Sequence, residues 1–179
     1  MTGGTDRGTV EDMNVPALLG RADPVSGTVR LQHVLPASIG AAWEALTTPA
    51  HTITWLGRLT GAPLREGAVV ALWHDEHVRS DHHVLQCEPP WALRLTWDFP
   101  DEQPSTVLFS LTEAVPGATQ LTVLHEGLED PVSYAADWHR HVEYLDAHLR
   151  GTDRSAGDFW DGYQSLLERY HEGATRPRD

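Results

Sequence analysis

The stretch YAADWHRHVEYLDAHL at residues 134–149 decides the fold, because its apolar side chains have the spacing of one long amphipathic helix. The apolar face carries Tyr134, Trp138, Val142, Leu145 and Leu149. The other face is charged, with Asp137, Arg140, Glu143, Asp146 and Arg150. Gly151 follows and can adopt the left-handed conformation that ends a helix. We therefore predict a helix over residues 131–150 whose apolar face must be buried.

Most of the sequence between residues 60 and 130 alternates apolar and polar side chains, which is the period of a β-strand. The clearest alternation is WALRLTW at residues 91–97. The predicted strands cover residues 28–34, 68–74, 77–88, 91–97, 106–113 and 119–126. The loops between successive strands are short, so neighbouring strands should be antiparallel. A long helix after such strands can bury its apolar face on the concave side of the sheet, which predicts an α+β fold.

Three further segments complete the predicted organisation. Ser38 can cap a short helix that ends near Leu46, and Pro49 can begin a second one, so two short helices separate the first strands. A further helix at residues 155–172 has an aromatic face that should pack on the domain or on a second copy of the chain. The predicted units are a flexible leader at 1–27, one domain at 28–151, and an accessory C-terminal helix and tail at 152–179.

Composition and charge exclude several classes of protein. The chain of 179 residues has 40% hydrophobic residues, enough for one folded domain. Its net charge of −13 repels phosphate backbones and anionic lipids, so we expect neither nucleic-acid nor membrane binding. The single cysteine, Cys87, excludes an internal disulfide and is typical of a reducing compartment. No signal-peptide core and no run of about 18 apolar residues occurs, so we expect a cytoplasmic protein.

Six segments of this sequence occur in the order of a known family. They are WEALTTP at 43–49, TWLG at 54–57, EPPWALRLTW at 88–97, STVLFSLTE at 105–113, TQLTVLHEGL at 119–128 and WHRHVEYLDAHLRG at 138–151. Over residues 28–151 the chain resembles bacterial proteins similar to the activator of the heat-shock-protein-90 ATPase. These form a branch of the START/Bet v 1-like superfamily, also called SRPBCC.

The resemblance implies a helix-grip fold, in which a curved antiparallel sheet wraps around the long C-terminal helix. It also implies a hydrophobic cavity between the sheet and that helix. Members of the superfamily bind lipids, hormones, polyketides and other apolar ligands, and some act as cyclases or aromatases. The family has no universal catalytic motif, so the resemblance assigns no catalytic residue to this chain.

The strand at 119–126 supplies the candidate polar group of that cavity. His125 shares a face with Leu121 and Val123, and that face should point toward the long helix. There His125 could orient a ligand or transfer a proton, or it could be a hydrogen-bonded histidine of the core. The candidate cavity residues are Trp97, Phe109, Leu121, Val123, His125, Trp138 and Val142. The apolar members are equally compatible with an ordinary core.

The sequence supports no metal, cofactor or nucleophile site. Its 11 histidines include a cluster at His74, His77, His82 and His83. On the long helix, only His141 and His148 have a spacing that could converge on an ion. No HExxH or CxxC motif accompanies them, and no GxSxG elbow occurs. We therefore expect neither a metal nor another cofactor, and the sequence leaves open whether the protein is an enzyme.

Three functional hypotheses follow from the sequence. The first is a binding protein for an apolar or aromatic small molecule. The second is an enzyme of the cyclase or dehydratase kind that uses His125 as its general acid or base. The third is a co-chaperone-like interaction module or a homodimer formed through residues 155–172.

Overall fold

A single antiparallel sheet of eight strands organises the protein. The computed structural model describes residues 19–99 and 101–175, so most of the predicted leader lies outside the described residues. The strands are β1 Leu19–Asp23, β2 Thr28–Leu35, β3 Arg58–Gly61, β4 Val69–Trp73, β5 Arg79–Glu88, β6 Ala92–Trp97, β7 Ser105–Val115 and β8 Ala118–Glu126. Their order across the sheet is β1-β2-β8-β7-β6-β5-β4-β3. All six predicted strands are present, and the predicted α+β helix-grip fold is confirmed.

Two strands, one at each edge of the sheet, were not predicted from the sequence. β1 lies in the segment assigned to the leader and pairs with β2. β3 lies in a segment that reads as irregular and pairs with β4. Neither is longer than five residues, and neither alternates clearly. Gly20 in β1 is needed there, because a Cβ atom at this position would lie 1.9 Å from the Tyr170 hydroxyl oxygen.

Two short helices, α1 Ile39–Thr47 and α2 Pro49–Thr52, separate β2 from β3 as predicted. The Ser38 side chain caps α1 by accepting a hydrogen bond from the Ala41 backbone N–H. α1 packs against β7, β8 and the long helix that follows the sheet. Trp55, just after α2, donates its indole N–H to the Ala45 carbonyl at 2.9 Å, which fixes the two short helices together.

The long helix α3, Pro131–Leu149, has the predicted place in the fold. Asp130 caps its N-terminus: the Asp130 carboxylate accepts a hydrogen bond from the Ser133 backbone N–H at 3.1 Å. Its apolar face is buried against the sheet: Trp138 is 1% exposed, and Val142 and Leu145 are fully buried. This face and the inward-facing side chains of β2, β6, β7 and β8 form one hydrophobic core.

The C-terminal segment differs in detail from the predicted single helix at 155–172. It forms a short 3₁₀ turn at Ala156–Asp158 and then the helix α4, Tyr163–Thr175. Ser155 caps the 3₁₀ turn rather than α4. Gly162 has φ of +69°, a left-handed conformation that interrupts a helix. Helix α4 packs on α3 and β1 of its own chain, and the homodimer stays a prediction.

None of the helices among residues 19–99 and 101–175 is both long and apolar enough to cross a lipid bilayer.

Candidate functional site

A cleft of about 800 Å³ lies along one side of α3. Its walls come from five parts of the chain besides α3: residues 53–57 after α2, the turn between β4 and β5, the end of β6 with the connection that follows, residues 128–130 between β8 and α3, and the segment between α3 and α4. We call it the aromatic cleft, because its lining includes Trp55, Trp97, Phe99, Tyr134, Trp138, Tyr144, Phe159 and Trp160. This volume is in the range of small-molecule sites, which are about 300–1,000 Å³.

The aromatic side chains of the cleft form a nearly continuous surface. The ring centroids of Trp97 and Trp138 lie 5.1 Å apart at its inner side. The Phe159 ring lies 4.8 Å from the His141 ring and 5.0 Å from the Trp160 ring. These separations are typical of favourable aromatic pairs, so the rings support one another. Trp97 and Trp138 are almost buried at the base of the cleft, whereas Phe159 is half-buried and Trp160 is 65% exposed.

The predicted cavity residues divide into two groups. Trp97 and Trp138 line the aromatic cleft. The residues that do not line it lie in the hydrophobic core and are at most 3% exposed: Phe109, Leu121, Val123, His125 and Val142. Phe109 packs edge-on against Trp138 with 5.4 Å between ring centroids, so this second group supports the cleft from behind.

His125 is held by protein groups on both ring nitrogens. The Trp138 indole N–H can only donate, and it donates to His125 Nδ1 at 3.0 Å. The proton of the neutral ring is therefore on Nε2, which donates to Ser105 Oγ at 2.9 Å. Ser105 in turn donates to the Trp97 carbonyl. Burial lowers the pKa of His125 to about 3, so the ring is neutral at neutral pH and leaves no nitrogen for a ligand.

His141, unlike His125, lines the cleft. Its Nδ1–H donates to the Trp55 carbonyl at 2.6 Å, because a carbonyl can only accept. Burial lowers the pKa of His141 to about 4, so Nε2 is an unprotonated acceptor at neutral pH. The sequence signal for this residue is a second stripe on α3. Tyr134, Asp137, His141 and Tyr144 all line the cleft and are spaced by three or four residues.

A second histidine of the cleft, His74, ends a directed chain of hydrogen bonds. The chain begins at the Thr96 carbonyl, which accepts from His82 Nδ1–H at 2.8 Å. His82 Nε2 must then accept from the Ser80 hydroxyl at 2.7 Å, and Ser80 Oγ accepts from His74 Nε2–H at 2.9 Å. His74 Nδ1 is left unprotonated. Burial, with the nearby His141 and His82 rings, lowers the pKa of His74 to about 4.

The remaining histidines do not form a metal site. In the part of the chain that the structure describes, no group of three His, Cys, Asp or Glu side chains could hold a metal ion. His148, which the sequence spaces to converge with His141, instead contacts His51 at 2.9 Å and Asp153 at 2.8 Å.

Five carboxylates give the cleft its charge. Asp137 is half-buried inside it and accepts a hydrogen bond from the Tyr163 hydroxyl at 2.5 Å. Burial and the like charges of Asp130 and Glu102 raise the pKa of Asp137 to about 6, although the Tyr163 hydrogen bond opposes this. The exposed carboxylates of the lining are Asp75, Glu102, Glu129 and Asp130. The described residues that line the cleft include no arginine and no lysine.

A sheet that grips a long helix, with an aromatic cleft beside that helix, defines a protein of the helix-grip class. The family model described as "Activator of Hsp90 ATPase homolog 1-like protein" matches residues 36–150. The chain belongs to this family, a branch of the SRPBCC superfamily. The family predicted from the sequence is thereby confirmed. A search of curated proteins finds no match.

Solved structures of similar proteins confirm the fold. CalU16 from Micromonospora echinospora is 22% identical, with a TM-score of 0.70 over 89% of this chain and 97% of that one. EF2215 from Enterococcus faecalis, described as a conserved protein of unknown function, is 16% identical, with a TM-score of 0.71 over 91% of this chain and 93% of its own. DynU16, a protein of the dynemicin biosynthetic locus, is 27% identical, with a TM-score of 0.65 over 71% of this chain and 48% of its own.

Proposed function

We propose that this protein binds an apolar or aromatic small molecule in the aromatic cleft. The observation that carries the proposal is the size of the cleft, about 800 Å³, together with its aromatic lining. Three large apolar side chains of the lining are exposed to solvent, Ile53 at 57%, Val78 at 38% and Trp160 at 65%, and exposed apolar groups gathered around a cleft are typical of a binding site. Membership of the SRPBCC superfamily agrees with this proposal. Polar groups stand beside the aromatic rings in the lining and could orient a bound molecule, as in small-molecule sites generally.

Apolar burial rather than hydrogen bonding should supply most of the affinity. Each 100 Å² of apolar surface that a ligand and the cleft remove from water contributes about 2.5 kcal/mol. One neutral hydrogen bond contributes only about 0.5–1.5 kcal/mol net. The rings of Phe159 and Trp160, which are more exposed than those of Trp97 and Trp138, would therefore contribute most to affinity. Polar groups such as His141 would determine orientation. The candidate polar group for orienting a ligand is therefore His141 rather than His125. None of the hydrogen bonds described above involves His141 Nε2.

Replacing Trp160 by alanine should weaken binding of a neutral apolar probe. Trp160 lines the cleft and is 65% exposed, so its loss should remove ligand contacts with little effect on folding. Trp91→Ala is the matched control, since Trp91 is also exposed, at 52%, but does not line the cleft. We expect N-phenyl-1-naphthylamine fluorescence titrations to show about 5- to 30-fold weaker binding in Trp160→Ala, the equivalent of about 1–2 kcal/mol.

The control variant should bind the probe as the parent protein does. Equal loss of binding in both variants would mean that the probe binds elsewhere on the surface. Unchanged binding in Trp160→Ala would exclude this wall of the cleft from the site.

A second candidate function is a cyclase or dehydratase activity in the same cleft. The observation that favours it is that neutral imidazoles and a carboxyl group share one lining. His141 Nε2 could accept the proton from a carbon next to a carbonyl. Asp137, whose pKa is raised to about 6, could donate a proton to a leaving hydroxyl group. The C–O bond would break as the C=C bond forms, and water would leave.

His141→Asn tests this second candidate. An asparagine amide can still donate to the Trp55 carbonyl, but the cleft loses the basic nitrogen. With 4-hydroxy-4-phenylbutan-2-one as substrate, loss of water gives a conjugated enone that is measured by its absorbance. An enzyme should lose about 10²- to 10⁴-fold in turnover on this substitution, the usual contribution of a general base. A parent protein that does not accelerate the reaction beyond buffer would reject dehydration of this substrate class and leave the binding proposal intact.

A further inference from the structure

Most hydrogen-bond donors of the aromatic cleft already have partners within the protein. Tyr134 donates to Glu102, and Tyr144 donates to the Ser155 carbonyl at 2.9 Å. His141 donates to the Trp55 carbonyl, and His74 donates to Ser80, as described above. The indole N–H groups of Trp55 and Trp138 and the hydroxyl groups of Thr54 and Ser133 are engaged in the same way. The cleft therefore offers a ligand few donors.

The groups that remain are mostly acceptors. His141 Nε2 and His74 Nδ1 are unprotonated, and Asp137 accepts a single hydrogen bond, from Tyr163. The remaining donors are neutral N–H groups of Trp97, Gln103 and Trp160. Of these, the Trp97 indole N–H is buried without a partner among the described residues. A ligand that brings its own N–H donors matches this lining, whereas a ligand that brings an anion does not.

Two arginines that neighbour cleft residues in the sequence are bound to other groups. Arg140 and Arg154 both pair with Glu143, at 3.1 Å and 3.5 Å. Arg140 also donates to the Asp161 carbonyl, and the Arg154 guanidinium lies 5.5 Å from the centroid of the Tyr144 ring. Neither arginine lines the cleft. The negative charge of Asp137, Glu102 and Asp130 is therefore not balanced by a protein cation inside the cleft.

We propose that the cleft is selective for a cationic ligand, a protonated amine carried on an apolar or aromatic body. This inference rests on the proposed function and names the ligand class of the same site. The ammonium group pairs with the Asp137 carboxylate and donates to His141 Nε2. The apolar body lies against the rings of Phe159 and Trp160, which are the more exposed aromatic side chains of this wall. The exposed carboxylates at the rim, Glu102 among them, attract the cation and repel anions of the same shape.

Two physical effects favour this ligand class. Burial, and to a lesser extent repulsion by Asp130 and Glu102, raises the pKa of Asp137, and a bound cation stabilises the charged carboxylate against both. The same cation is attracted by the faces of the neighbouring rings, since an ammonium within about 6 Å of a tryptophan, tyrosine or phenylalanine ring is stabilised by its quadrupole. The two effects act at one place, because Tyr134, Asp137, Trp138 and His141 occupy successive turns of α3.

Three naphthalene compounds of nearly equal size test the inference by calorimetry at pH 8. They are 1-naphthylmethylamine as the cation, 1-naphthylmethanol as the neutral compound and 1-naphthylacetate as the anion. We expect the amine to bind about 10- to 100-fold more tightly than the alcohol, which corresponds to one charged hydrogen bond. The acetate should bind more weakly than the alcohol.

Asp137→Asn is the main variant. The asparagine keeps the oxygen that accepts from Tyr163, and it removes a carboxylate whose charge the fold disfavours, so the variant should fold. It should lose most of the preference for the amine and keep the affinity for the alcohol. Glu102→Gln provides an independent second variant at the rim, with a smaller loss. Glu113→Gln is the control, because it changes net charge equally at an exposed site of β7 outside the cleft.

The pH dependence provides a test in the parent protein. Asp137 is faced by Glu102 from the connection after β6, by Tyr163 from α4, and by Asp130 from its own helix. Protonation of Asp137 near pH 6 should weaken amine binding as pH falls from 8 to 5, while the alcohol is unaffected.

The outcomes separate the inference from the proposed function. Equal affinities for the amine and the alcohol, or a preference that survives in Asp137→Asn, would overturn the inference and leave the binding function standing. Failure of all three compounds to bind would overturn both.

Discussion

Replacing Trp138 by alanine is expected to unfold the protein or to lower its melting temperature severely. Trp138 is 1% exposed and packs against Trp97, Phe109 and His141. Truncation of a buried tryptophan costs about 3–5 kcal/mol. It also removes the donor to His125 Nδ1, and a buried acceptor left without a partner costs a further 1–3 kcal/mol, roughly. A domain with about 5–15 kcal/mol of stability would lose much of it.

Urea denaturation followed by far-UV circular dichroism measures this effect. Trp91→Ala is the control, because exposed substitutions of this kind usually change stability by less than about 0.5 kcal/mol. A Trp138→Ala protein that melts within a degree of the parent would contradict the packing of α3 on the sheet.

Mild acid should destabilise the protein at a pH well above that at which carboxylates ordinarily titrate. Burial is the largest cause that lowers the pKa of four histidines: His74, His82, His125 and His141. Their folded-state pKa values lie below the unfolded value of 6.5, so below pH 6.5 the unfolded chain binds protons that the folded chain does not. Stability is therefore lost as pH falls below 6.5. His125 alone contributes a loss of about 1.4 kcal/mol per pH unit in this range.

One carboxylate opposes this trend. The pKa of Asp137 is raised to about 6 in the folded protein, so this group binds its proton at a higher pH there than in the unfolded chain. Its protonation therefore stabilises the folded protein as pH falls through 6. This stabilisation offsets the contribution of only about one of the four histidines, so the protein still loses stability as pH falls.

Thermal melting between pH 7.5 and 5 should show this loss, and His125→Leu should show a shallower pH dependence, because one titrating group is gone. A melting temperature that is the same at pH 7.5 and pH 5 would contradict the assignment of neutral buried histidines.

The fold could be predicted from the sequence because alternation and helical spacing report burial directly. The strand at 91–97 and the helix at 131–150 appear with boundaries close to those predicted. β1 could not be predicted, because its Gly20 is set by contact with Tyr170, 150 residues further along the chain. The break at Gly162 was also missed, since the apolar spacing of residues 155–172 continues across it.

The site was less predictable than the fold, because a pattern gives the face of a residue and not its partners. His125 does face α3, as its spacing with Leu121 and Val123 predicts. Whether its nitrogens are free depends on Ser105 and Trp138, which come from other elements. Conversely, His141 reads from the sequence as one member of a charged and polar face. That face becomes the wall of a cleft because other segments, among them 53–57 and 156–160, stand opposite it.

The outer wall of the cleft lies outside the stretch that the family model matches. The family match ends at residue 150, and Phe159 and Trp160 lie beyond it, between Gly151 and Gly162. Trp160 is 65% exposed, so its replacement changes a wall of the cleft while the sheet and α3 stay intact. A programme to redirect binding toward new compounds is best begun with a library confined to residues 152–161.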